Sequence, residues 1–199
     1  LAPLLPEENL LAEALSAALS IQPEYYRADA LITLAPLLPE ENLLAEALSA
    51  ALSIQPEYYR ADALITLAPL LPEENLLAEA LSAALSIQPE YYRADALITL
   101  APLLPEENLL AEALSAARKI QDEKYRADVL KTLADKLSQI ENKQLFSHWQ
   151  ETLHILSLRT RSNLLSDIKS LTPVIFSLGG EEALRDVASA IVDVSRWWR

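Results

Sequence analysis

The chain has 199 residues, of which 51% are hydrophobic, with two glycines, no cysteine and a formal charge of −13. This composition excludes a disordered linker, a disulfide framework and a thiolate metal site. An acidic surface repels phosphates, so we expect no nucleic-acid partner. No apolar run approaches about 20 residues, so we also expect no membrane partner. A cysteine-free chain without a secretory signal predicts a cytoplasmic location.

A 33-residue repeat dominates the sequence. Residues 1–33, 34–66 and 67–99 are identical, and residues 100–132 are a fourth copy with six substitutions. A period of this length is typical of helical hairpins that bury their apolar faces only by stacking. We therefore predict an all-α solenoid of four αα-hairpin repeats over 1–132. Residues 133–199 lack the period and are predicted to form a divergent C-terminal helical cap.

Each repeat predicts two helices. Pro6 suits the first position of the first helix, which then places Leu11, Leu15 and Ala18 on one face. Pro23 suits the first position of the second helix. That helix carries an apolar stripe of Ala28, Leu31 and Ala35, and Pro36 weakens its last turn.

The cap is predicted to contain helices near 143–157, 161–178 and 181–198. Pro173 is expected to bend the second of these, and Gly179 to adopt the left-handed conformation that ends it. Aromatic side chains are expected in the core of the cap; they are Phe146, Trp149, Phe176, Trp197 and Trp198.

The first hairpin has no cap of its own. Leu1–Leu5 repeat the end of a second helix, and the chain contains no methionine, which indicates an array taken from a longer one. Leu11 and Leu15 are therefore predicted to face solvent or another molecule. Such an apolar end favours self-association through the N-terminal hairpin.

The repeat LPEENLLAEALSAALSIQPEYYRADALITLAP resembles the tandem αα-hairpin solenoid repeats, tetratricopeptide-like or HEAT-like, of large bacterial multidomain signalling proteins. The tail segments WQETLH (149–154), RTRSNLLSD (159–167), PVIFSLGG (173–180) and DVSRWW (193–198) resemble the closing segment of the same proteins. The resemblance implies a solenoid that senses or binds partners. The Trp-Leu-Gly-Tyr signature of tetratricopeptide repeats is missing. Three identical copies indicate recent duplication or deliberate design of an engineered array.

No residue pattern predicts catalysis, a cofactor or a metal. His148 and His154 are six residues apart, whereas helical metal pairs need a spacing of four. The Glu7–Glu8 pair and its copies could bind a hard cation, but complementing the positive end of a helix is the simpler explanation. We therefore expect no enzymatic activity.

One surface suggests a partner. In the fourth copy Lys124 replaces the tyrosine at position 25 of the repeat, and Lys131 replaces the isoleucine at position 32. Unpaired lysine is costly to bury, so these positions are predicted to face solvent. With the intervening aspartate they form a ladder at i, i+4, i+7 spacing. The ladder consists of Tyr25, Asp29, Ile32, Tyr58, Asp62, Ile65, Tyr91, Asp95 and Ile98.

Two interpretations of the ladder remain open. It either grips an extended peptide or packs between neighbouring hairpins. Tyr26 and its copies are predicted to lie on the opposite, core side, and Arg27 and its copies to pair with an acid of an adjacent helix or repeat. The favoured function is a non-catalytic structural repeat scaffold, and the alternative is a protein- or peptide-binding sensor module.

Overall fold

A computed structural model describes residues 8–38 and 40–197. Over these residues the chain forms eleven α-helices and no strand, which confirms the all-α class and the stacked helical hairpins. The chain divides into two compact units, an N-terminal unit Leu1–Leu109 and a C-terminal unit Leu110–Arg199. No helix in the described part of the chain has both the length and the apolar composition to cross a bilayer.

The helices follow the repeat. Their bounds are α1 Glu8–Leu19, α2 Glu24–Leu34, α3 Glu41–Leu52, α4 Glu57–Leu67, α5 Glu74–Ser86, α6 Glu90–Leu100, α7 Glu107–Lys119, α8 Glu123–Leu137, α9 Asn142–Leu156, α10 Arg161–Ser170 and α11 Thr172–Trp197. Short 3₁₀ turns follow the second helix of the first three copies, at Ala35–Leu37, Ala68–Leu70 and Ala101–Leu103. The proline in each turn lacks the N–H that would continue the α-helix, so the predicted weakening of the last turn is confirmed.

Stacking creates the core of the N-terminal unit. In each of its three hairpins the two helices contact each other. Equivalent helices also contact each other between successive hairpins, α1 with α3 and α3 with α5, and α2 with α4 and α4 with α6. The predicted apolar faces are buried, since Leu15 is 0% and Leu31 1% exposed. One continuous cluster of leucine and alanine side chains runs from Leu11 to Leu100. The apolar faces of successive hairpins therefore pack against each other and form one core.

The helices of the repeats begin later in the chain than the positions of the prolines led us to predict. Pro23, Pro56 and Pro89 are the residues before the second helices, with extended ψ of 113–120°. The first helices begin at Glu41 and Glu74 in the second and third copies. The prediction of proline at the first helical position is thus wrong. The extended ψ of each proline redirects the chain, and the glutamate after it opens the helix with a favourable negative charge.

The first hairpin buries Leu11 and Leu15, which are 6% and 0% exposed, so the prediction that they face solvent is wrong. Both point into the shared core rather than toward the start of the array. A different set is uncovered, which we call the open face: Leu10, Ala14, Ala17, Ile21 and Ala30. Four of these five, all except Ala17, are only half-buried here, whereas their copies in the second and third repeats are 0–7% exposed.

The C-terminal unit is built around α8. Helix α10 packs along α8, and α11 contacts α8, α9 and α10. The predicted helix over 161–178 is wrong, because α10 ends at Ser170 and a new helix begins at Thr172. Pro173 is the second residue of that new helix, a position where its missing N–H costs nothing, so it begins a helix instead of bending one.

Two glycines make a sharp kink within α11. Gly180 has a φ of 62°, so the left-handed residue is Gly180 and not Gly179 as predicted. Gly179 is required for space, because a Cβ there would lie 2.8 Å from the Cβ of Ala183. The predicted separation into two helical segments at this pair is confirmed.

The three described aromatic side chains of the cap do not form the predicted aromatic core. Phe146 is 50% and Phe176 53% exposed, and Trp149 is half-buried. Leucine, valine and isoleucine fill the buried positions instead, among them Leu145 and Val174. The Trp197 side chain and Trp198 lie outside the described residues.

Candidate partner-binding surface

An arginine in each repeat holds the start of the second helix against the end of the first. Arg27 Nη1 donates to the carbonyl oxygen of Ile21 at 3.2 Å, and its Nη2 lies 3.3 Å from Glu24 Oε1. The same contacts recur at Arg60 and Arg93. The predicted pairing with an acid is therefore found, although the acid belongs to the same helix.

The glutamate of this pair also connects neighbouring hairpins. Glu24 Oε1 accepts a hydrogen bond from the backbone N–H of Gln55 at 3.2 Å, and Glu57 accepts one from Gln88 at 2.9 Å. Both bonds span 31 residues, so they lock each hairpin to the next at the same position of the repeat. This register brings equivalent side chains on successive second helices next to one another.

Six tyrosines form a continuous row along this register. Ring centroids within each adjacent pair lie 3.9–5.0 Å apart, for example 4.4 Å between Tyr58 and Tyr59. Between hairpins the centroids lie 6.0 Å apart for Tyr25 and Tyr59, and 5.5 Å apart for Tyr58 and Tyr92. The two separations between hairpins are in the range of favourable aromatic pairs. We call the set the tyrosine row: Tyr25, Tyr26, Tyr58, Tyr59, Tyr91 and Tyr92.

Much of the tyrosine row is open to solvent. Tyr25, Tyr58 and Tyr91 are 40%, 43% and 48% exposed, as the lysine in the fourth copy predicted. Tyr26 is 53% exposed, so its assignment to the core is wrong. Tyr59 and Tyr92 are half-buried and pack against the core at its edge. The first tyrosine of each pair meets the next hairpin, and the second meets the preceding one, as the Tyr25–Tyr59 and Tyr58–Tyr92 contacts show.

Three aspartates accompany the tyrosine row. Partial burial, and then the charges of Asp29 and Asp95, raise the pKa of Asp62 above its ordinary value of 3.8. The Asp62 carboxylate in turn raises the pKa of the Tyr58 hydroxyl above 10.0. The aspartates therefore disfavour further negative charge on this face, and they favour a cation.

No basic side chain of the described N-terminal unit neutralises these aspartates. Residues 1–99 contain 15 acidic residues against three arginines, and each arginine is paired with the glutamate of its own helix. The ladder aspartates are thus left to solvent or to a partner.

The isoleucines of the ladder have a different environment. Ile32 and Ile65 are half-buried and pack against the core. Ile98 is half-buried as well. Of the nine predicted ladder residues, the three tyrosines and Asp29 are exposed, and the other five are half-buried: Asp62, Asp95, Ile32, Ile65 and Ile98.

No known protein family, curated protein or solved structure matches this chain. The helical-hairpin array is therefore shown by the structure itself, and its closer resemblance to tetratricopeptide or HEAT repeats stays a prediction.

Other clusters of polar residues are smaller. Carboxyl groups of neighbouring hairpins meet at the helix starts, where hydrogen bonding to Glu73 raises the pKa of Glu41 and hydrogen bonding to Glu106 raises that of Glu74. Each of these contacts joins two carboxyl groups. Across the described residues, no group of three or more histidine or carboxylate side chains is arranged to hold a metal ion.

The prediction from the sequence included only half of the tyrosine row, because it assigned Tyr26 and its copies to the core. The signal was the Tyr-Tyr dipeptide itself, Tyr25–Tyr26 and its copies. Helical periodicity assigns adjacent residues to different faces, so it separated the two tyrosines. Only the stacking of hairpins shows that the second tyrosine of one repeat meets the first tyrosine of the preceding repeat.

Proposed function

We propose that the chain is a non-catalytic helical repeat scaffold whose tyrosine row and ladder aspartates bind an extended protein segment. The observation that carries the proposal is the continuous row of six rings, four of which are 40–53% exposed. Contiguous exposed aromatic surface is typical of interaction sites, and tyrosine is enriched among the residues that dominate binding energy.

The charge of the surface specifies the chemistry of the partner. Asp29, Asp62 and Asp95 lie beside tyrosine rings and have no basic partner within the described N-terminal unit. A lysine or arginine side chain can pair with the carboxylate and lie over the face of the ring. The proposed partner is therefore a basic peptide segment.

The repeat sets a spacing for that segment. Packed helices lie about 8–10 Å apart, so equivalent aspartates recur at roughly this distance. A peptide in the extended polyproline II conformation advances about 3.1 Å per residue and places every third side chain on the same side. A basic residue at every third position of the peptide therefore matches one aspartate in each hairpin. Single exposed ion pairs and cation–π contacts are weak, so three of each support a dissociation constant of about 1 mM.

The test is a calorimetric and NMR titration of the whole chain with a peptide that carries lysine at its first, fourth and seventh positions. A peptide of the same composition with three consecutive lysines is the matched probe. We expect the spaced peptide to bind several times more tightly. We also expect substitution of all three ladder aspartates by asparagine to abolish the preference.

The control carries the same change in charge on another face. Glu13, Glu46 and Glu79 are exposed on the first helices, outside the ladder. Their triple substitution by glutamine removes three negative charges while leaving the tyrosine row intact. Equal loss of binding in the two triple variants would show that only net charge attracts the peptide, and the proposed site would be wrong.

Self-association is a second proposed interaction, and a separate observation supports it. Ala47 and Ala80 are fully buried beneath the preceding hairpin, whereas Ala14 has the same place in the repeat and is only half-buried. Leu10, Ile21 and Ala30 show the same difference from their copies. The proposed occupant of the open face is a second copy of this chain, whose own open face has matching apolar character.

Sedimentation measures this association directly. We expect reversible dimers that strengthen with salt, because salt screens the repulsion between two chains of charge −13. Ala14→Glu should abolish them, while Ser16→Glu, on the exposed side of the same helix, should not. A monomer at all concentrations and salt conditions excludes this interaction.

The remaining part of the proposal concerns the context of the chain. The array is proposed to be the partner-sensing portion of a larger signalling protein, located in the cytoplasm and interacting with protein rather than nucleic acid or membrane. The helical-hairpin array and the acidic composition support this context. The identity of the three copies supports either recent duplication or deliberate design.

A further inference from the structure

Tyrosine rings of successive hairpins lie close enough to react with each other. The ring centroids of Tyr25 and Tyr59 are 6.0 Å apart, and those of Tyr58 and Tyr92 are 5.5 Å apart. The ring planes are tilted by 32° in the first pair and 50° in the second, so neither pair is stacked flat. The two pairs share no ring. A covalent link in one pair therefore uses no residue of the other.

The backbone holds the two rings of each pair near each other. Glu24, the residue before Tyr25, accepts a hydrogen bond from the backbone N–H of Gln55 in the next hairpin at 3.2 Å. The equivalent bond at the next junction is 2.9 Å long. Side chains that are partly exposed rotate rapidly about their torsions. The ring carbons of a pair can therefore approach each other while the backbone contact between the hairpins persists.

Both pairs are accessible to an oxidant in solution. Tyr25 and Tyr58 are 40% and 43% exposed, and Tyr59 and Tyr92 are half-buried. The chain contains no cysteine and no methionine, whose sulfur atoms are common targets of oxidation in proteins. An oxidant that reaches the array therefore meets phenol groups without competition from sulfur side chains.

We propose that these two pairs are sites of oxidative tyrosine coupling, which joins successive hairpins by a covalent bond between their rings. Each phenol of a pair gives up one electron and its hydroxyl proton. The two radicals form a carbon–carbon bond between the ring carbons next to the hydroxyl-bearing carbons, and the hydrogens on those carbons move to the oxygens and restore both hydroxyls. Hydrogen peroxide, acting through a haem peroxidase, takes up the electrons and the released protons and becomes water.

Coupling between hairpins differs from coupling inside a Tyr-Tyr dipeptide. The ring centroids of Tyr25 and Tyr26 are only 3.9 Å apart, but a bond between them would close a small, strained ring through the helical backbone. A bond between Tyr25 and Tyr59 encloses a whole repeat, so the native helices accommodate it. Such a link restricts the unfolded chain and should raise the denaturation midpoint, as a disulfide does. The inference requires no peptide partner and is independent of the proposed function.

Peroxidase treatment of the dilute whole chain, followed by trypsin digestion and mass spectrometry, tests these sites. Trypsin cleaves after the arginine of each repeat, so the three Tyr-Tyr dipeptides fall in the peptides 1–27, 28–60 and 61–93. We expect a first product that joins 1–27 to 28–60, and a second that joins 28–60 to 61–93. Each should be lighter than the sum of its peptides by a pair of hydrogen atoms. A mixture of isotope-labelled and unlabelled chains should give no mixed product, because each link forms within one molecule.

Single substitutions by phenylalanine, which removes the reacting hydroxyl, assign each product to its pair. Tyr25→Phe should remove the first product and keep the second, whereas Tyr58→Phe should remove the second and keep the first. Tyr26→Phe is the matched control, because Tyr26 is 53% exposed but its 3.9 Å ring contact lies within its own repeat. Both products should persist in this variant.

Three results would overturn the proposal. The first is the absence of joined peptides under conditions that couple N-acetyltyrosine, or the loss of hydrogen from single peptides alone. The second is a Tyr26→Phe variant that lacks the first product as completely as Tyr25→Phe. The third is a pair of products that form only between labelled and unlabelled molecules.

Discussion

Arg126 and Asp167 form an ion pair that is fully enclosed, with both side chains 0% exposed. Arg126 Nε lies 2.9 Å from Asp167 Oδ1 and 2.8 Å from Oδ2, and its Nη1 donates to the Ile120 carbonyl at 3.0 Å. The guanidinium therefore ties α8 to α10 and to the end of α7. Arg27, at the same position of the first repeat, donates to the Ile21 carbonyl and pairs with Glu24 of its own helix.

Removing one partner of this ion pair should strongly destabilise the protein. We expect Asp167→Ala to lower the free energy of unfolding by about 3–5 kcal/mol, because it leaves a buried guanidinium without its counter-charge. The double variant Arg126→Met with Asp167→Leu should recover most of this loss, since it removes both charges. Denaturant titration followed by circular dichroism measures each value.

An exposed ion pair supplies the control. Arg196 and Asp193 are 3.5 Å apart with side chains 73% and 66% exposed. Asp193→Ala should therefore change the free energy of unfolding by less than about 1 kcal/mol. If Asp167→Ala and Asp193→Ala lower the free energy of unfolding equally, burial is not what makes the Arg126–Asp167 pair important.

The same substitution at two equivalent positions of the repeat should destabilise the protein to different extents, because the two positions differ in burial. Ala47 is 0% exposed between two hairpins, whereas Ala14 is half-buried on the open face. We expect Ala47→Leu to cost about 1–3 kcal/mol through overpacking, and Ala14→Leu to cost far less. Local sequence is the same around both sites, so equal costs in denaturant titration would contradict the stacking of the hairpins.

Carboxyl pairs between hairpins should make stability depend on pH. Hydrogen bonding to Glu73 raises the folded-state pKa of Glu41 above 4.5, and Glu106 does the same for Glu74. A raised folded pKa means that the folded chain binds the proton more tightly than the unfolded chain. Stability should therefore rise as pH falls from neutrality through these raised values toward 4.5.

The increase in stability should end near pH 4.5, where the glutamates of the unfolded chain also take up protons. Below that pH the lowered pKa of Glu73 acts in the opposite direction, because its proton is bound more weakly in the folded chain. Thermal unfolding at pH 7 and pH 5 measures the effect. Glu41→Gln with Glu74→Gln should raise the midpoint at pH 7 and flatten the profile, whereas Glu13→Gln with Glu46→Gln should leave its slope unchanged.

The number of repeats should set the stability of the N-terminal unit. Each inserted 33-residue copy adds one more interface of the kind that buries Ala47, and one more bond of the kind that joins Glu24 to Gln55. We expect insertion of an identical copy after residue 66 to raise the denaturation midpoint, and deletion of residues 34–66 to lower it. Equal midpoints for the three lengths would show that the hairpins fold independently.

Several features could be predicted without the structure because they depend on neighbours in the chain. Leu11, Leu15 and Ala18 share a helical face by spacing alone, and that face is buried. Pro36 ended the second helix because proline has no N–H, and the Gly179–Gly180 pair interrupted α11. These are consequences of backbone geometry, which acts over a few residues.

The failures that concern burial depend on contacts between distant segments. Tyr26 was assigned to the core and is 53% exposed, and Phe146 and Phe176 are similarly open. Which face of a helix a neighbour covers depends on how hairpins stack. Helical periodicity defines the faces of a helix but does not say how many of them are covered.

The sequence by itself determined the repeat, its helices and the acidic charge of the array, because these follow from composition and from interactions within a few residues. The tertiary structure alone decided that Ala14 and Ala47, with identical neighbours in the chain, are half-buried and fully buried. It likewise joined Arg126 to Asp167 across 41 residues. Burial is a property of what packs against a residue, and that packing partner lies elsewhere in the chain.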